Sequence, residues 1–290
     1  MSPRKPEGRA GASPRTSVRR TLQELGRRPR KQLGQHFLTR PDVAQRIVQR
    51  AHIEPGTVVV EIGPGLGALT EFLAPRAAEL WLVELDADFA SMLRARYADS
   101  EHVHVVQADA CRIDWRTFAL PASSLTVVGN LPYNIATPLL MHLLEAGSRI
   151  DRITVMVQRE VAERLRARPG EKAYSALSVL TQALAEIEKG FRVPPAAFSP
   201  PPKVDSEVVV LRPRRAPAIG DCSYQDLRTV VRAAFGQRRK QLRNSLAALV
   251  GEPAAWLQRL GIAPQRRAET LTLEEFATLA RSLHDRTTHA

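Results

Sequence analysis

The chain has 290 residues, 44% hydrophobic and 25% charged, enough for one large domain and a smaller companion, with the balance of a soluble globular protein. No run of about 18 apolar residues and no apolar leader core occur, which argues against a membrane span or a secretory signal. Two cysteines, Cys111 and Cys222, make neither a disulfide framework nor a metal cluster, so a cytoplasmic setting, no membrane partner and no metal are expected. The net charge of +12 points to a polyanion, nucleic acid first, although Arg outnumbers Lys 36 to 6, a bias that genome composition alone can produce.

Residues 1–30 hold nine Arg or Lys and two Glu, hence +7 of that charge, with four prolines, three glycines and few large apolar side chains. Such a segment cannot bury enough surface to fold alone, and a disordered basic tail is expected. From Val58 onward short apolar runs alternate with helical patterns. The runs are Val58–Ile62, Leu80–Glu84, Val103–Gln107, Leu125–Gly129 and Ile153–Val157. Between them lie Ala68–Leu73, Ala87–Tyr97 and Pro138–Leu144. Alternation of this kind predicts a parallel sheet covered on both faces. Tyr174–Ala185 reads as a further helix, and Glu186–Val193 with Val208–Arg212 as a closing strand hairpin at the sheet end. Pro213–Ile219 reads as a linker. The segments Tyr224–Phe235, Gln237–Leu249, Pro253–Leu260 and Leu273–Leu283 are helical patterns punctuated by Gly251 and Gly261. The expected division is a tail over 1–30, an α/β domain over 31–213 and an all-helical domain over 214–290.

The strongest local signal is Val60-Glu61-Ile62-Gly63-Pro64-Gly65-Leu66-Gly67, which leaves a predicted strand and opens a helix. Gly63 and Gly65 allow backbone to approach a ligand at the carboxyl ends of the strands. The next strand ends in Glu84, about 20 residues on, where a carboxylate can accept both hydroxyls of a ribose. A third strand leads to Asp109, which can accept from an adenine amine. Dinucleotides and S-adenosylmethionine both fit this layout; Glu61 and Pro64 resemble the methyltransferase version of the loop.

The fourth strand ends in Gly129-Asn130-Leu131-Pro132-Tyr133-Asn134. An aromatic exocyclic amine is a poor nucleophile because its lone pair is delocalised into the ring. A catalyst can accept hydrogen bonds from that amine and turn the lone pair toward an incoming methyl. Asn130 offers a side-chain carbonyl for this and Leu131 a backbone carbonyl. Pro132 stiffens the turn, and Tyr133 offers a ring on which a base can stack. Methyl transfer is an in-line displacement, so positioning carries most of the catalysis.

With these residues in hand, the chain resembles the rRNA adenine N6,N6-dimethyltransferase family from about Arg30 to Leu283. The resemblance rests on Gln35-His36-Phe37-Leu38, the Glu61–Gly67 loop, Asn130–Asn134, Phe198–Ser206 and Arg238–Leu246, and it looks like the KsgA/RsmA-type small-subunit branch. It implies a Rossmann-like S-adenosylmethionine-dependent methyltransferase sheet with a small C-terminal helical domain. The implied activity is dimethylation of two adjacent adenosines near the 3′ end of 16S rRNA, with the small ribosomal subunit or its rRNA precursor as partner; a monomer is expected, although the sequence does not give the oligomeric state. The resemblance places cofactor contacts at His36, Leu38, Gly63, Glu84, Asp109 and Asn130. Many relatives carry Asn where this chain has His36, which makes that contact a main-chain one and His36 no general base. It also places an aromatic, Phe198, on the other face of the target base, held by the prolines that follow; the alternative is a core anchor. Arg238, Arg239, Lys240 and Arg243 read as a phosphate-binding rim, with a solvated helix surface as the other reading. Three alternatives stand beside the small-subunit enzyme. One is a resistance methyltransferase acting on large-subunit rRNA, another a non-catalytic RNA-binding factor on the same fold, and the last an NAD-dependent dehydrogenase.

Overall fold

The computed structural model describes residues 14–29, 34–115, 125–146, 149–237 and 239–288. Five β-branched or apolar runs form parallel strands: β2 (Val58–Ile62), β3 (Glu79–Glu84), β4 (Val103–Gln107), β5 (Leu125–Asn130) and β6 (Ile150–Gln158). Two antiparallel strands complete the sheet, β7 (Ala185–Val193) and β9 (Ser206–Pro213), and its order is β4-β3-β2-β5-β6-β9-β7. The predicted closing pair is therefore present, with β9 inside and β7 at the edge. The chain leaves β2 toward β3 and β4, then returns to lay β5 on β2's other side. That reversal opens a crevice beyond the carboxyl ends of β2 and β5, where open α/β sheets bind ligands.

Alternation along β2 splits the core into two layers. Val58, Val60 and Ile62 face a cluster with α5 (Ala136–Glu145) and α6 (Arg159–Arg166), whereas Val59 faces α2 (Pro41–Arg50), α3 (Thr70–Leu73) and α4 (Ala87–Arg96). α2 starts with Pro41 and Asp42 in its first turn, and buries Val43, Ala44, Ile47 and Val48. α4 is capped by the Asp86 carboxylate, which accepts from Asp88 N at 3.1 Å. A short ladder lies outside the main sheet: β1 (Phe37–Leu38) pairs antiparallel with β8 (Phe198–Ser199), placing Leu38 opposite Phe198.

The C-terminal helices are α8 (Tyr224–Gly236), α9 (Leu242–Ser245), α10 (Pro253–Arg259) and α11 (Leu273–Thr288), around Leu227, Val231, Trp256, Phe276 and Leu279. Their core also takes Ala167, Tyr174 and the Val179, Leu180 and Ala183 side chains of α7 (Ala176–Leu184). Tyr174 donates its hydroxyl to the Leu271 carbonyl at 2.9 Å, and Met141 of α5 touches both this core and the sheet core. Position 213/214 thus divides the chain but not the packing. The long helix expected over Gln237–Leu249 is only α9, because Gln241 is extended and the Leu242 and Arg243 amides bond to Arg266 O (2.8 Å) and Pro264 O (3.2 Å).

The expectation of disorder over 1–30 does not hold for residues 14–29; residues 1–13 and Arg30 lie outside the described residues. Pro14–Glu24 forms a helix, α1, and its Val18 and Leu22, one turn apart, are buried against Phe37 and Phe89. Composition missed this because the apolar partners come from elsewhere in the chain. After α1, Arg27 pairs with Asp88 and lies 3.9 Å from Asp86. Among the described residues no helix is long and apolar enough to cross a membrane.

Candidate active site

One cleft of about 1150 Å³, including its open mouth, lies beyond the carboxyl ends of β2, β3, β4 and β5. Its walls include ten of the residues singled out in the sequence: His36, Leu38, Gly63, Gly65, Glu84, Asp109, Asn130, Leu131, Pro132 and Tyr133. They come from five separate stretches of chain; the sheet topology brings four of them together, and the β1–β8 ladder supplies His36 and Leu38.

The floor is the glycine loop. Gly65 has φ +54°, a left-handed conformation, and a Cβ there would sit 3.3 Å from the Phe37 ring, so glycine keeps this loop low under the cleft. The Glu84 carboxylate is buried and holds the loop in place. Its Oε2 accepts from Gly65 N at 2.9 Å and its Oε1 from Asp86 N at 2.8 Å. Burial raises its pKa above the ordinary carboxylate value, while these two backbone hydrogen bonds pull it back. Each oxygen keeps a lone pair for a further donor, which is what a ribose diol supplies. Asp109 holds its position through Oδ1, which accepts from Cys111 N at 2.9 Å, and its side chain is partly exposed at the cleft.

Sequence reasoning did not place Glu61 among the site residues, although it named it. Its side chain lines the cleft, is 1% exposed, and accepts from the Thr70 hydroxyl at 2.6 Å. Burial pushes its carboxyl up to about 8, against the Thr70 hydrogen bond and with help from the nearby Glu84 charge. The available signal was an acid inside a strand whose other four residues are apolar.

The wall opposite Glu84 is the turn after β5. Asn130 donates Nδ2 to the His36 carbonyl at 3.0 Å. That bond uses one of the amide's two N–H donors and fixes its direction, leaving Oδ1 as its uncommitted acceptor among the described residues. Leu131 donates its N–H to Met156 O at 3.1 Å and buries its side chain; among the described residues no hydrogen bond ends on its carbonyl. Tyr133 is fixed at its tip, where the hydroxyl lies 2.7 Å from Ser206 Oγ. His36 stacks on the Tyr133 ring, centroids 5.5 Å apart, and its Nδ1 lies 2.8 Å from the Pro200 carbonyl. A carbonyl can only accept, so the Nδ1–H of His36 donates this hydrogen bond. Ser206 is a second residue that sequence reasoning did not select.

Phe198, expected beside the target base, is 0% exposed, packs with Leu38, Val193 and Val208, and is not among the residues lining the cleft. In this structure it is the core anchor that sets β8 against β1. Arg239, Lys240 and Arg243 are exposed on the helical domain, away from the cleft lining, and Arg238 lies outside the described residues.

The family model for ribosomal RNA adenine dimethylases matches residues 26–285. The chain is 44% identical over 264 residues to the ribosomal RNA small subunit methyltransferase A of Magnetococcus marinus, covering 91% of this chain and 95% of that one. It is 45% identical to the protein of the same name from Verminephrobacter eiseniae, over 89% and 90% of the two chains. Among solved structures it is similar to a dimethyladenosine transferase from Plasmodium falciparum (TM-score 0.75, 25% identity, 87% of this chain and 98% of that one). It is also similar to the 23S rRNA methyltransferase ErmE (TM-score 0.64, 29% identity, 86% and 99%).

Proposed function

Because the chain belongs to the ribosomal RNA adenine dimethylase family, we propose that it dimethylates the N6 amines of two adjacent adenosines near the 3′ end of small-subunit rRNA, using S-adenosylmethionine. Bound in the cleft, that cofactor supplies an electrophilic methyl on a sulfonium. Glu84 would hold its ribose hydroxyls, Asp109 its adenine amine, and Gly63 and Gly65 its approach to the backbone. His36 and Leu38 would contact it through the main chain, and Asn130 borders both cofactor and base.

The observation that carries the reading is the direction of the Asn130 amide. With Nδ2 held by His36 O at 3.0 Å, Oδ1 is left to accept from a target amine, beside the carbonyl of Leu131. Two acceptors on one amine turn its lone pair out of conjugation and toward the methyl. The face of Tyr133 turned away from His36 takes the base by stacking. No strong base is needed, since the amine becomes acidic once methylated.

A small-subunit target is favoured over a large-subunit one by degree of likeness: relatives named small subunit methyltransferase A are 41–45% identical, against 29% for ErmE. In this proposal residues 31–213 carry the chemistry. The 214–290 domain docks the small subunit or its precursor through Arg239, Lys240 and Arg243. The enzyme acts as a monomer in the cytoplasm.

The test is methylation of purified small subunits that lack the two modifications, followed by nucleoside mass spectrometry and primer extension. Dimethyladenosine at two adjacent positions is expected. Asn130→Ala should lower turnover at saturating cofactor by about a hundredfold or more, the cost of losing one preorganised polar group. Modification confined to large-subunit rRNA, or an Asn130→Ala variant with unchanged turnover, would overturn the reading.

A further inference from the structure

A second groove runs beside the catalytic turn. One wall is the α1 segment, with Arg19, Gln23, Arg27 and Arg28; the other is Phe198–Pro201. Arg19, Leu22 and Gln23 share one helix face, and Leu22 roots that face on Phe37 and Phe89, both of which also line the cleft. Arg27 is held by Asp86 and Asp88. Arg19 and Arg28 are exposed and make no ion pair among the described residues. The far wall carries Pro200 and Pro201, which have no N–H, and the Pro200 carbonyl is taken by His36 Nδ1 at 2.8 Å. Arg19 of α1 and Arg28 in the segment after it therefore supply the cationic donors along the groove. Through His36, which stacks on Tyr133, the groove adjoins the place where the target base is expected. The helix itself lies before residue 26, where the family match begins.

We propose that this groove binds the phosphodiester backbone of the substrate RNA next to the target adenosine, with Arg19 and Arg28 as phosphate contacts. The proposal rests on the rRNA-methylating reading and adds to it a recognition surface built from Arg19, which lies before the family match, and Arg28, which lies inside it. Charge selects the occupant: a strand leaving the base pocket carries one anionic phosphate per nucleotide, and the groove wall it would run along is cationic. The helix need not change shape to do this, because Val18 and Leu22 already seat it.

The test uses the full-length chain and small subunits lacking the two modifications, with binding measured from 50 to 400 mM salt. Each phosphate contact on a single strand contributes about 0.7 to the slope of log affinity against log salt. Arg19→Gln with Arg28→Gln should lower that slope by about 1.4 and weaken binding by about 25-fold at 0.1 M salt. Turnover at saturating RNA and S-adenosylmethionine affinity should stay at wild-type values. Arg20→Gln, on an exposed arginine already paired with Glu24 at 2.8 Å, should leave the slope unchanged. The proposal is overturned if the double variant keeps the wild-type slope, if Arg20→Gln reproduces its loss, or if only cofactor affinity falls, which would make α1 a cofactor strap. A wild-type enzyme that binds these subunits but does not methylate them refutes the proposed function instead, and the slope comparison still reads out this surface.

Discussion

The protonation of Glu61 links stability to pH in a way that a single substitution can isolate. In the folded chain its carboxyl is pushed from an ordinary value of 4.5 up to about 8 by complete burial. Between those two values the folded state keeps a proton that the unfolded state has released. Stability from this group is therefore fully present below about pH 4.5, is lost progressively as pH rises, and is gone above about 8. At about 1.4 kcal/mol per unit, the whole window is worth at most about 5 kcal/mol. Glu61→Gln keeps the shape and can still accept from Thr70, but has no proton to lose. Urea unfolding of both proteins without cofactor, at pH 5, 6.5 and 8.5, isolates the effect, because other titrating groups largely cancel in the difference. The variant should gain on the wild type steadily as pH rises, by several kcal/mol between the extremes. Two parallel stability curves would refute a protonated Glu61 beneath the glycine loop.

Glu84→Ala should weaken S-adenosylmethionine binding by roughly ten- to over a hundredfold, the range for losing hydrogen bonds to a charged acceptor, as read by calorimetry. Unchanged affinity would remove it from the ribose site. Gly129→Ala should destabilise the fold, since a Cβ there would lie 2.8 Å from the Ile62 carbonyl inside the β2–β5 pair, and thermal unfolding will show a lowered midpoint. Replacing Arg239, Lys240 and Arg243 with Gln should weaken binding to small subunits and flatten its salt dependence while leaving cofactor affinity intact. A salt slope equal to wild type would leave those cations a solvated surface.

The strands were legible because their signal is local. Val58–Ile62 is a short apolar run ending at glycine, and such a run means the same wherever the chain places it. Most of the cleft was legible for the same reason: its glycine loop, Glu84, Asp109 and Asn130–Tyr133 sit at strand ends, and a parallel sheet gathers strand ends on one side, whereas His36 and Leu38 come from the separate β1 ladder. α2 was missed although Val43, Ala44, Ile47 and Val48 mark a helical stripe. α1 could not be found from composition, since its buried Val18 and Leu22 pack against Phe37 and Phe89, distant in sequence. Phe198 shows the limit most clearly. Its motif resembles that of a base-contacting aromatic, yet burial is a property of the assembled ladder between β1 and β8, which two-residue strands do not announce. The Tyr133–Ser206 contact joins residues 73 apart and was equally hidden.

The shared core of the C-terminal helices has a bearing on how a large substrate is read. Tyr174 and α7 belong to the same packed interior as α8 and α11, and Met141 presses on both interiors at once. Among the described residues the helical surface and the crevice beyond β5 are joined by packed side chains and not by a linker alone, which gives the molecule the form of a caliper. In the proposed reading, a ribosomal strand would be modified where its own architecture presents a backbone to one jaw and an unpaired adenosine to the other.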